Sequence, residues 1–369
     1  MVDVIKEIKL YNSIAKEKRK KYTLTVEELE ENLALSRGSL NVINQKKLNF
    51  SAFALWIAVA RCWTSKELTD PELERKSNGF ALLYGDMLSE EKFALISSGI
   101  EPVRDFSKTS GIGQIAQGVN FLFAQEILKF PIVVDFESFI KNKNSHAEIT
   151  GPRPDFILHK DNTVENNIAL LESKGQYNPP LTSSTKIVLK KALKQCENGR
   201  LIISNNLPMY NISKTFGTAV IFYNEQSSES SKIQYVDPEY PNENSTNNLD
   251  LIRYHYASWF FIMKNFVIYK KLINNEFLVE SDIKKARKKK IFGQPFYLFK
   301  YNAEERFEGY GFDYGLRVEV VDVLMGKKQK FNEIQFDINI KDTQKNNFEY
   351  FKDGTIIYFG SEKMGKTYI

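Results

Sequence analysis

Three side chains able to do chemistry together fall within the stretch GPRPDFILHKDNTVENNIALLESKGQ, from Gly151 to Gln176. Asp155 opens one short apolar run, and Glu172 and Lys174 end a second, one on either side of Ser173. Read as a strand, IALLESK sends Glu172 and Lys174 to the same side of a sheet, because successive side chains alternate faces. The polar connection KDNTVENN joins it to the preceding strand, DFILH, as an antiparallel hairpin. Asp155 need not pair directly with Glu172 in that hairpin, but sheet twist can bring both carboxylates to one edge. Two neighbouring carboxylates repel unless a cation lies between them. Oxygen ligands without His or Cys point to Mg²⁺ or Mn²⁺. An ammonium beside them would orient a water or stabilise charge on a phosphate. The set suits metal-assisted hydrolysis of a phosphodiester.

The elements that must position these groups follow from the change of period along the chain. Residues 1–105 read as a helical region. Thr25 with Glu28 gives a capping-box pattern, and the rhythm from Leu24 to Leu48 fits either a helix-turn-helix or two helices of an ordinary bundle. FSAFALWIAVARCW reads as a buried helix, and TDPELERK starts another with Pro71 near its first turn. From Thr109 to Phe130, apolar residues at Ile112, Ile115, Val119, Leu122 and Phe123 recur at helical spacing. Gly111, Gly113 and Gly118 fit no phosphate-loop pattern and read as close helix packing. FPIVVDF, DFILH, IALLESK, RLIISN and GTAVIFY then read as strands. Between the third and fourth lies a helix with Gly199 at its C-terminal end. A polar stretch around residues 224–248 reads as a linker, a helix resumes near Leu249, and the alternating, aromatic residues 281–369 read as a β-rich unit. The expected fold class is α/β, with a mixed sheet flanked by helices at residues 106–280.

Asp155 after Pro154, followed by Glu172-Ser173-Lys174, resembles the signature of the PD-(D/E)xK nuclease superfamily, the restriction-endonuclease-like fold. The resemblance covers roughly Thr109 to Tyr223. A helix before the first strand, a hairpin carrying Asp and Glu-x-Lys, and a helix leading to another strand all match that layout. It implies Asp155, Glu172 and the Ser173 carbonyl as ligands of Mg²⁺ or Mn²⁺, and Lys174 as the group that assists the attacking water. It also implies a supporting Gln195 on the following helix. Many members carry Glu on the first helix; here its interior offers Gln114 and Gln117, with Glu126 only near the end. Gln117 is therefore the expected contributor, Glu126 the lesser candidate, and two fully occupied metal sites are not expected.

Charge adds a second layer. Lys186, Lys190 and Lys194 recur every four residues with Lys191 beside them. They form either a solvated face or a surface for DNA phosphates, since a like-charge stripe costs helix stability. IKKARKKK, residues 283–290, is either a backbone-tracking segment or a basic loop. RYHYASWFF interleaves Arg253 and His255 with aromatics, more in keeping with a buried helix than with base stacking. Of 369 residues with net charge +5, only Cys62 and Cys196 are cysteines, which excludes a disulfide scaffold and a zinc finger. The start lacks the apolar core of a signal peptide, and FALWIAVA and SWFFIM are too short to span a membrane. A soluble, cytoplasmic protein follows; the resemblance implies an Mg²⁺-dependent endonuclease acting on double-stranded DNA in restriction or defence, with a homodimer as the simplest route to cutting both strands. The rival expectations are a non-catalytic DNA-binding protein with a helix-turn-helix reader, and an interaction protein that binds no nucleic acid.

Overall fold

Tyr22, Leu24 and Val26 alternate with more exposed neighbours, and that period of two makes the N-terminal segment a strand. In the computed structural model, which describes residues 20–30, 41–62, 88–89, 92–96, 105–161, 166–178, 182–238, 248–300, 312–327, 331–338 and 348–359, β1 (Lys21–Leu29) pairs antiparallel with β2 (Val42–Ser51). The expected N-terminal helices and helix-turn-helix are therefore replaced by a β-hairpin. Thr25 and Glu28 imitate a capping box, but burial of alternate apolar side chains decides the conformation. The turn near Leu35 and the TDPELERK helix lie outside the described residues. The FSAFALWIAVAR helix is present as α1 (Ala52–Arg61), capped by the Ser51 hydroxyl accepting from Ala54 N–H.

The hairpin extends a seven-stranded sheet in the order β2-β1-β7-β6-β5-β4-β3. After α2 (Asp105–Glu126) come β3 (Ile132–Asp135), α3 (Phe136–Lys143), β4 (Phe156–Asp161) and β5 (Asn166–Tyr177). Next are α4 (Thr182–Asn206), β6 (Ile212–Phe222) and β7 (Lys232–Val236). The β5–β6 and β1–β7 pairs are parallel and the rest antiparallel. RLIISN, expected as a strand, is the last part of α4. Gly199 is therefore inside that helix and not at its end. A Cβ there would lie 2.5 Å from Pro154 Cδ and 3.2 Å from Leu170 Cδ1, so glycine lets α4 press onto the segment that carries Asp155. β7 lies within the stretch expected to be a linker and brings Ile233, Tyr235 and Val236 into the core.

α2 and α4 cover opposite faces of β5. A Cβ on Gly175 would strike Ile112 of α2, whereas one on Gly217, the parallel neighbour of Glu172, would meet Leu193 of α4. Gly118 likewise admits Val59 of α1, as its expected packing role requires, but a Cβ on Gly113 would meet nothing within 4 Å, so close packing does not explain that glycine.

The helix from Leu249 breaks at Lys264, whose φ is 55°, giving α5 (Leu249–Ile262) and α6 (Phe266–Ile273). Every residue of α5 from Leu251 to Ile262 is buried, including Arg253 and His255, so this segment is core and not a stacking surface. After α7 (Glu280–Ile283), an antiparallel second sheet forms in the order β11-β12-β10-β9-β8. Its strands are β8 (Arg287–Ile291), β9 (Gln294–Lys300), β10 (Phe312–Arg317), β11 (Phe348–Tyr350) and β12 (Thr355–Phe359). VEVVDVL, expected as strand, is α8 (Val318–Leu324).

A fully buried ion pair fastens this sheet to the rest. Arg61 Nη1 lies 2.6 Å from Asp353 Oδ2, both side chains 0% exposed. His255 Nε2 is 2.8 Å from the same carboxylate, and the Thr355 hydroxyl and N–H donate to its other oxygen. Arg61 also donates to Ser258 and lies over Phe121 and Trp259. One charge pair thus joins α1, α5 and the turn before β12.

Candidate active site

β4 pairs with β5 only as far as Phe156↔Leu171, whereas β5 continues beside β6 to Tyr177↔Phe222. The two strands part at this point. One residue beyond the last pair, the register sets Asp155 across from Glu172, closer than the sequence alone required. Lys174, two residues on, shares the face of Glu172.

Neighbours hold all of this junction but one carboxylate oxygen. Asp155 Oδ1 accepts from Gln117 Nε2 of α2 at 2.9 Å, and Oδ2 accepts from the Ser173 N–H at 3.0 Å. Asn120, one turn after Gln117, donates to the Ser173 hydroxyl at 2.7 Å and to Ala116 O at 3.0 Å. Thr218 donates to the Glu172 carbonyl at 2.8 Å. Lys174 Nζ pairs with Glu172 Oε1. Glu172 Oε2 is buried and has no hydrogen-bond partner.

The expected residues separate into three groups. Asp155, Glu172, Ser173, Lys174 and Gln117 are brought together. Gln195 is nearby, but its Nε2 donates to the Arg153 carbonyl at 2.8 Å, not to either carboxylate. With Asn198, which donates to the carbonyls of Thr150 and Pro152 at 3.1 and 2.6 Å, it fastens the segment leading to Asp155. Glu126 is elsewhere, with Lys352, Lys129 and Asp337 as its charged neighbours, and Gln114 reaches back to Ser110. Lys190, Lys191 and Lys194 are exposed on the outer side of α4, and Lys186 is half-buried. Asn120 was missed by sequence reasoning. Its signal was the Gln117–Asn120 spacing, which sets two amides on one helix face.

The electrostatics show a place short of positive charge. Burial pushes Glu172 from its ordinary 4.5 up to about 8; the Asp155 charge adds to this, and Lys174 opposes it. Burial also raises Asp155, against the hydrogen bonds from Gln117 and Ser173 and the charge of Lys174. Asp135, which caps α3 through Ser138 N–H at 2.7 Å, is pushed to about 6, chiefly by burial. Cys196, 0% exposed, has its thiol raised by burial and then by Glu172, so it is no nucleophile.

These residues fit a divalent cation. Two buried carboxylates are near enough that the Asp155 charge raises Glu172, one buried oxygen lacks a partner, and the shortage of positive charge is what a cation would correct. Among the described residues no group of three or more His, Cys, Asp and Glu side chains could hold a metal. A cation here would use two carboxylates with backbone oxygen, leaving the rest of its sphere to water and phosphate, as Mg²⁺ favours.

A prediction follows for the metal-free protein. Because the folded value of Glu172 lies above its ordinary one, its contribution to stability is complete below about pH 4.5 and is lost as pH rises to about 8. The loss from one such proton reaches about 1.4 kcal/mol per pH unit. Urea unfolding in EDTA at pH 5.5 and pH 8 is expected to show Glu172→Gln gaining on the wild type at the higher pH. A wild-type-to-variant difference that does not change with pH contradicts it.

Compared with protein-family models, curated proteins and solved structures, the chain matches none of them. No helix among the described residues is long and apolar enough to cross a membrane.

Proposed function

We propose that the protein is a metal-dependent nuclease of the PD-(D/E)xK type, hydrolysing phosphodiester bonds of DNA as an endonuclease at the junction of β4 and β5. The observation that carries this reading is the set itself: Asp155 across from Glu172 at the parting of two strands, with Lys174 paired to Glu172. Asp155, Glu172 and the Ser173 carbonyl would hold Mg²⁺ or Mn²⁺. When bound, that cation supplies stabilisation of the charge that grows on the phosphate.

The chain's own residues do the rest. Gln117 and the Ser173 N–H fix the Asp155 carboxylate from two sides, so that it meets cation and substrate without reorganising. Asn120 fixes Ser173, and Gln195 with Asn198 holds the preceding loop. Lys174, half-buried, keeps its ammonium beside Glu172, where it can orient a water toward the phosphate and stabilise negative charge. The cations of α4 offer contacts to the DNA backbone. Restriction or defence against foreign DNA is the biological role most in keeping with such a chain.

The test is incubation with supercoiled plasmid in Mg²⁺, Mn²⁺ or EDTA. Nicked or linear DNA that forms only with metal supports the reading. Intact plasmid under every metal, from folded protein, contradicts it.

A further inference from the structure

The densest run of cations in the sequence lies outside the residues of this site. Residues 284–290 read KKARKKK, and all six cations are exposed. Four of them form β8, the outer strand of the second sheet. Arg287 and Lys289 point to one side of the strand, Lys288 and Lys290 to the other.

Little among the described residues neutralises this run. Arg287 pairs with Asp313. Lys288 lies over Tyr297 at 4.8 Å and feels Asp322 and Glu280, the latter already paired with Lys327. Lys289 lies over Tyr358 at 3.9 Å. Among the described residues, no ion pair is formed by Lys284, Lys285 or Lys290. One or two lysines suffice to stop an edge strand from pairing with another chain. Six cations in seven residues, many within a Debye length of about 8 Å of one another, repel at a cost that edge protection does not require.

The partner that fits is a linear polyanion. Each side of a β-strand repeats every ~6.6–6.8 Å. This is the axial distance of two nucleotides in one strand of B-form DNA, about 3.4 Å each. The aromatic rings beneath Lys288 and Lys289 hold two of the cations on the sheet, which limits the side-chain entropy lost on contact. An anionic lipid surface would call for apolar side chains projecting beside the lysines; Ile291, the apolar member of β8, is instead 3% exposed.

We infer that β8 and the turn leading into it form a second contact surface for the phosphate backbone of DNA, independent of sequence and separate from the Asp155–Glu172 site. This rests on the reading that the protein acts on DNA.

Binding of a fluorescein-labelled duplex is measured by anisotropy in EDTA, so that no cleavage intervenes, over about 50–200 mM salt. Compared are the wild type, a variant with Lys284, Lys285, Lys289 and Lys290 all changed to Gln, and one with only Lys289→Glu and Lys290→Glu. The four-residue variant is expected to bind at least tenfold more weakly. Its plot of log affinity against log salt should be shallower by about three to four units, at ~0.9 per phosphate contact. The two-residue variant should weaken binding as well, and both should unfold at the wild-type urea midpoint. A wild type that binds duplex while both variants match it overturns the surface and leaves the DNA reading standing. A wild type with no salt-dependent duplex binding overturns both. Binding to phosphatidylserine vesicles that the variants lose, without duplex binding, assigns the strand to a membrane and overturns the inference.

Discussion

Replacing Lys174 by Ala is expected to lower metal-dependent DNA cleavage by about 10³-fold or more while leaving duplex affinity in EDTA within about twofold. The size follows from two losses at one place. The ammonium that would orient water and offset phosphate charge disappears. Glu172, 2% exposed and already pushed to about 8, also loses the cation paired with it. Its carboxyl then holds its proton more tightly, and a divalent ion must displace that proton to bind. Lys174→Arg restores the charge but not the compact ammonium, so it should recover only part of the activity. Affinity is spared because the exposed lysines of α4 and β8 remain. Cleavage rates under single-turnover conditions, beside anisotropy, decide the matter. A Lys174→Ala variant within tenfold of wild type contradicts the role given to this residue.

The largest expected effect on stability concerns the buried ion pair that fastens the second sheet. Asp353→Ala should cost about 3–5 kcal/mol, because it leaves the Arg61 guanidinium buried with no counter-charge. Burial alone would raise the Asp353 carboxyl. The Arg61 charge and the hydrogen bonds from His255 and Thr355 nevertheless hold it well below the usual carboxylate range. Burial, and then the charge of Arg61, also keeps His255 below its ordinary value, so this ring remains neutral near pH 7. Domains are commonly stable by only ~5–15 kcal/mol, so such a loss is a large share of the total. Replacing Arg61 and Asp353 together by Leu removes both charges and should cost less than the single change. Urea unfolding at pH 7 measures all three proteins. A loss below about 1 kcal/mol for Asp353→Ala would show that the pair does not fasten the second sheet.

The candidate site was legible in the sequence because its residues interrupt apolar strand patterns: acids and a lysine where valine or leucine would serve burial better. The helix carrying Gln117 and the hairpin carrying Asp155 and Glu172 stood out for the same reason. The N-terminal hairpin did not. Thr25 and Glu28 are spaced as a helix cap, and the Tyr22-Leu24-Val26 alternation is short enough to be hidden by the glutamates after it. RLIISN and VEVVDVL were misleading in the opposite direction, because β-branched residues favour strands until packing overrides them. In α8, Val320 with Val323 and Val321 with Leu324 are buried at helical spacing, and that burial outweighs local preference. No sequence signal foretold that Gln195 would hold the Arg153 carbonyl, since a glutamine on a helix does not reveal which loop passes beneath it.

The measurement that bears most directly on the proposed site compares wild type with Asp155→Ala on supercoiled plasmid, in Mg²⁺ and in EDTA, after both are shown to be folded. Metal-dependent nicking or linearisation by the wild type, with none above the EDTA background for the variant, is the predicted result. Cleavage that survives in Asp155→Ala would contradict it, because the carboxylate that Gln117 and Ser173 hold in place would then have no part in the reaction.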